Sequence, residues 1–232
     1  MSASARVRSE WLRRVEAEYR SAVLTQELCL WLMQIGASPD LIRAGLRIVR
    51  DELRHADLCH RTFLEAGGEG GPTLPRETLR LDRRAAEPLE YDVTRVCVDA
   101  FCLGETVAVP LFTRLRKGCT VPGPRRVLDR VLLDEVRHRD FGWALLGWLL
   151  ELPMGAELRA LVQRELPRYF MRMRRAYGSA STNTTMDDAD RAWGLMPPAE
   201  YAEVLERTVE RDWIARFARF DLDANQAWQE AK

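Results

Sequence analysis

Apolar residues recur at intervals of three and four along almost the whole 232-residue chain, and no strand-like alternation persists. The pattern predicts an all-α protein. A first helix is expected over residues 9 to 35. Gly36 to Pro39 ends it and opens a second, with Ser38 as N-cap and Pro39 at the first helical position. That helix continues to about residue 66 and stops at Gly67-Gly68. Residues 67 to 88 are polar and rich in Gly and Pro, and read as a long crossover. A third helix is expected over 91 to 117 and a fourth over 124 to 152. Beyond lie a helix at 156 to 177 with Pro167 as a kink or break, a polar loop at 178 to 185, and an amphipathic helix at 198 to 220 carrying Tyr201, Val204, Leu205, Thr208, Trp213 and Phe217.

The connections run short, long, short, so the four long helices form two antiparallel hairpins joined by one crossover. The expectation is one domain over residues 1 to 232, with a four-helix core at about 9 to 152. The C-terminal extension, 153 to 232, is too poor in core residues to stand alone.

Two copies of a short motif carry the chemistry. Asp51-Glu52-Leu53-Arg54-His55 lies on the second helix and Asp134-Glu135-Val136-Arg137-His138 on the fourth. Aligning them also places Pro39 over Pro122 without a gap, so both helices start and carry their motifs in one register, as an internal repeat would. Residues three apart share a helix face, so each motif aims a carboxylate and an imidazole at one point. Two of the chain's three histidines are used in this way. The third, His60, lies off the His55 face.

The neighbouring helices must each add a carboxylate. On the third helix Glu105 lies on an apolar face with Val98, Cys102, Val109 and Phe112, where an unpartnered carboxylate is costly. Asp99 is off that face. On the first helix the choice is between Glu18 and Glu27. Glu18 is favoured because it belongs to a seam of Trp11, Val15, Ala22, Thr25, Cys29 and Leu32, whereas Glu27 shares its face with Arg20 and Gln34 and reads as solvent-facing. The set is then Glu18, Glu52, His55, Glu105, Glu135 and His138. Hard carboxylate oxygens with one imidazole per metal suit two iron ions, with manganese or a mixed manganese–iron pair as alternatives. Asp51 and Asp134 are placed to hydrogen-bond a ligand imidazole from the opposite helix, with Arg54 and Arg137 to neutralise them.

Composition narrows the function. Hydrophobic residues make up 47% and charged residues 30%, and 35 Lys+Arg balance 35 Asp+Glu, so no global charge recruits nucleic acid or an anionic membrane. The start of the chain lacks an apolar signal core, and the apolar stretch 141 to 152 is too short to span a bilayer. Five cysteines without disulfide-like spacing suit buried thiols in a reducing cytoplasm. The basic run from Arg168 to Arg175 reads as a solvated face or a subunit contact.

In its order Glu, Glu-x-x-His, Glu, Glu-x-x-His, and in its hairpin–crossover–hairpin layout, the chain resembles the ferritin-like superfamily of ferritins, rubrerythrins, manganese catalases and di-iron oxygenases. The resemblance covers about residues 9 to 152. It implies a ferritin-like four-helix bundle with extra C-terminal helices and metal ligands at the six positions named. The related arylamine N-oxygenases carry a further His one turn before the last motif, and here that position is Val131. The expected activity is that of an oxidase or oxygenase using O2 or peroxide on a small organic substrate, with an external electron donor. Cys59, Phe63, Phe101, Cys102, Phe112, Phe141 and Trp143 would line its pocket. The alternative is a ferroxidase, iron-handling or peroxide-detoxifying protein that needs no organic pocket. A homodimer is compatible with either.

Overall fold

In the computed structural model, which describes residues 3–177 and 186–231, every regular element among the described residues is helical. Helix α1 is Ala5–Gln34 and α2 is Pro39–Glu65. A single 3-10 turn, Arg76–Thr78, interrupts the crossover. Helix α3, Leu89–Gly118, contains a π-helical segment at Cys97–Glu105. Helix α4 is Pro122–Leu150, α5 is Gly155–Tyr177 and α6 is the short Asp188–Ala192. Helix α7, residues 198–218, has a second π-helical segment at Val209–Trp213, and α8 is Ala224–Glu230. The polar loop expected at 178 to 185 lies outside the described residues. Pro167, expected to kink or break its helix, lies inside α5 without ending it.

The chain divides into two compact units. One comprises Met1–Arg83, Phe112–Asp134 and Met186–Met196; the other comprises Arg84–Leu111, Glu135–Thr185 and Pro197–Lys232.

The first unit is organised around the α1–α2 hairpin. Ser4 caps α1 by accepting from the Val7 amide at 3.1 Å, and its own hydroxyl donates to Asp190 at 2.6 Å. Trp11 donates to the Trp193 carbonyl at 3.1 Å and Arg14 to the Gly194 carbonyl at 2.8 Å, so α6 and the turn after it are fastened onto α1. Gly36 turns the hairpin at φ +73°, a conformation costly for any residue with a Cβ. Ser38 then caps α2 with Pro39 in its first turn. All seven positions of the predicted α1 seam are buried. Glu27 does not face solvent as expected. It is half-buried and accepts the Leu81 amide at 2.6 Å, tying the crossover to α1.

In the second unit, the α3 π segment packs against α4 at Gly142. A Cβ on Gly142 would lie 2.9 Å from the Phe101 backbone, so only glycine allows this approach. The Cys97 and Cys102 thiols donate to the Gly142 carbonyl at 3.3 and 3.5 Å. Trp143 donates to the Thr106 hydroxyl, and Trp213 of the α7 π segment donates to the Cys102 carbonyl at 3.1 Å. By length and composition α3 is apolar enough to cross a membrane, with 44% of its most apolar window buried inside the protein. Two arginines of the basic run are used internally. Arg172 pairs with Asp99 at 2.6 Å, and Arg174 lies over the Trp228 ring and donates to the Ala231 carbonyl.

Candidate metal centre

The first unit brings Glu18 of α1 together with Glu52 and His55 of α2. One ligand atom from each lies within 4.8 Å of the others. The i, i+3 spacing places Glu52 and His55 on one turn, and the α1 seam presents Glu18 opposite them. His55 Nδ1 is 3.6 Å from a Glu18 oxygen and 3.8 Å from a Glu52 oxygen. All three side chains are buried, His55 completely.

The other face of the imidazole is fixed by Asp134, whose carboxylate lies 3.1 Å from His55 Nε2. A carboxylate only accepts, so Nε2 donates to Asp134 and Nδ1 is directed at Glu18 and Glu52, where its lone pair would meet a bound cation. Asp134 was expected to hold an imidazole from the opposite motif, and it holds His55. The cation beside it was not anticipated. Arg130, one turn earlier on α4, reaches Asp134 at 2.6 Å and lies 4.0 Å from Asp51. An arginine four residues before an aspartate is the signal that would have found it. Arg54, expected to neutralise one of these acids, lines a groove on the protein surface instead.

The second unit holds a matching triad. Glu105, at the end of the α3 π segment, and Glu135 and His138 of α4 place ligand atoms within 4.8 Å of one another. His138 Nδ1 is 3.5 Å from a Glu135 oxygen. His138 and Glu135 are buried and Glu105 is half-buried. That Glu135 oxygen has no hydrogen-bond partner among the described residues, an arrangement that burial makes expensive without a cation.

The electrostatics of the first triad show the same demand. Burial lifts the Glu18 carboxyl well above its usual range, and the Glu52 charge lifts it further. Burial alone would depress the His55 imidazole, but Glu18 and Glu52 outweigh it and push it up to about 11. Without a metal, the buried charge of two carboxylates at one point favours bound protons on Glu18 and His55. A divalent cation bound by Glu18, Glu52 and His55 would replace them, and Glu105, Glu135 and His138 offer the same donor set.

The remaining candidates lie elsewhere. His60 contacts the Gly70 carbonyl at 2.7 Å and stacks on Phe63, fastening the end of α2 to the Gly-rich crossover. All five cysteines are free and buried. Burial raises the Cys59 thiol well above its usual value, with the Glu18 charge adding to it, so a thiol rather than a thiolate stands there. The aromatics expected to line a pocket pack on each other: Phe101 meets Phe141 edge-on at 5.2 Å, and Trp143 meets Phe217 at 4.8 Å. Compared with known proteins, the chain matches no protein-family model and no curated sequence.

Proposed function

We propose that the two triads are the halves of one di-metal carboxylate centre in a ferritin-like four-helix bundle. On this reading the protein is a non-haem di-iron oxidase or oxygenase, with manganese or a manganese–iron pair as the alternative metals. The observation that carries the reading is the orientation of His55: Asp134 holds Nε2, so Nδ1 is aimed at two buried carboxylates. Two chain features support pairing the triads. Their motifs repeat in register from Pro39 and Pro122, and Asp134, which holds His55, is bonded directly to Glu135.

The bound metals would supply redox chemistry with oxygen. The chain's residues would set its conditions. Glu18, Glu52, Glu105 and Glu135 bring four negative charges to offset two divalent cations. Asp134 orients the His55 ring, and the Arg130 guanidinium lies against Asp134 at 2.6 Å.

A second reading, ferroxidase or peroxide detoxification, gains from the packing of the aromatics. Phe101 packs edge-on against Phe141 and Trp143 against Phe217, as core aromatics do. Anaerobic loading with ferrous iron tests both. About two irons per chain, lost in Glu52→Ala and Glu135→Ala, and oxygen uptake on exposure to air are expected. Uptake accelerated by an organic substrate identifies the oxygenase. Repeated turnover with ferrous iron alone identifies the ferroxidase. No binding of iron or manganese defeats the di-metal reading.

A further inference from the structure

A groove of about 370 Å³ runs between α2 and α4 in the first unit, at the low end of volumes that hold small molecules. Leu58 and Val127 are among its apolar lining residues, and four arginines surround it. Arg54 and Arg61 are two helical turns apart on α2, and Arg126 and Arg130 one turn apart on α4, so each pair projects from one face.

The arginines are not equivalent. Arg130 is committed to Asp134, which in turn contacts His55. Arg54, Arg61 and Arg126 are exposed and form no ion pair among the described residues. One acid, Glu65, also lines the groove. Its carboxylate lies against Gly123 so closely that a Cβ there would overlap it, which places its charge at the N-terminus of α4. Three uncommitted guanidiniums against one carboxylate leave a surplus of two positive charges facing a small concave space.

We propose that this groove binds a small dianion, a phosphate monoester or a dicarboxylate, held by Arg54, Arg61 and Arg126. Guanidinium groups grip both kinds of oxyanion through paired N–H donors, which a lysine in the same place would not provide. The volume admits a small molecule, and the surplus charge matches a dianion better than a monoanion.

The test does not depend on the metal centre. Full-length protein stripped of metal is titrated calorimetrically with inorganic phosphate and with succinate, in about 0.15 M salt to screen diffuse attraction. One saturable site is expected for at least one of the two, and the tighter of them assigns the ligand as phosphorylated or as an organic acid. The double variant Arg61→Gln/Arg126→Gln should bind roughly tenfold or more weakly. Arg43→Gln, which removes an exposed arginine paired with Asp40, should bind as the parent does. Absence of saturable binding by both anions, unchanged binding by the double variant, or binding confined to duplex DNA would each overturn the proposal.

Discussion

Asp134 has no exposure to solvent, and its charge is answered by an imidazole on one side and a guanidinium on the other. Asp134→Asn keeps the shape and the acceptor but removes the charge that favours an Nε2-protonated His55. Outer partners of this kind are worth roughly 10- to 100-fold in metal affinity. A chelator competition should show a loss of that size, with the far-ultraviolet helical signal unchanged. Glu18 makes the complementary case. Burial and the Glu52 charge raise its carboxyl well above the ordinary range and so favour its neutral form, which Glu18→Gln mimics. Its cost to the metal-free protein should stay under about 1 kcal/mol, the level of a single neutral hydrogen bond. The metal-loaded parent, by contrast, should gain about 4 kcal/mol at a thousandfold excess of metal over Kd, and the variant should lose most of that gain. Thermal melts of both proteins with and without metal measure the difference. A variant that melts well below the metal-free parent would mean that Glu18 serves the fold rather than a cation.

At the scale of elements, α3 and α4 meet where two departures from ordinary helix coincide: the Cys97–Glu105 π segment and Gly142. A Cβ at 142 would come within 2.5 Å of the Phe101 Cβ and 3.1 Å of the Cys102 amide. The obstacle is largely backbone, which a rotamer change cannot relieve. Gly142→Ala should therefore destabilise by about 1–3 kcal/mol, the usual cost of overpacking, despite the better helix propensity of alanine. Urea denaturation checks this, and a stabilised variant would show that α4 can move off α3 freely. The same region marks the limit of what the sequence discloses. Hydrophobic spacing located the long helices to within a few residues and identified the whole buried seam of α1, because burial imposes a period. A π segment inserts residues without changing composition, so Glu105 was found by its apolar neighbours while its position at the end of a π turn was not. Arg130 escaped for a different reason. Its role depends on which helix faces Asp134, and spacing along one helix offered Arg54 and Arg137 equally well. Pro167 does not end α5: a proline's local cost is visible in sequence, while the contacts that hold the helix together are not.

Over the whole molecule, charges of both signs balance, and arginine supplies nearly all the positive ones. The structure concentrates part of this balance in a partly buried network within the second unit. Arg95 donates to Glu87 at 2.5 Å, to Asp92 at 2.9 Å and to Glu165 at 3.1 Å. Tyr169 donates to Glu165 at 2.9 Å, and Asp92 accepts the Arg84 amide at 2.8 Å. The end of the crossover, the start of α3 and the middle of α5 are joined through these groups. Burial alone would raise the Glu165 carboxyl, but the Tyr169 hydroxyl and the Arg95 and Arg84 guanidiniums outweigh it and hold it below its ordinary value of 4.5. An acid depressed in the folded state binds its proton more readily once the chain unfolds. Its contribution is therefore complete above the unfolded value and is lost as pH falls through the folded one. Glu165→Gln removes that contribution and leaves Arg95 with two acids. The variant should be less stable than the parent by about 2 kcal/mol at pH 7, the scale of a hydrogen bond to a charged group. The gap should narrow as pH falls below the ordinary value of 4.5 and close once the parent's own Glu165 is protonated in the folded state. Urea midpoints measured from pH 7 down to pH 3 would show the two curves converging. A gap that stays constant through that range would mean that Glu165 acts by packing against Tyr169 and not by its charge.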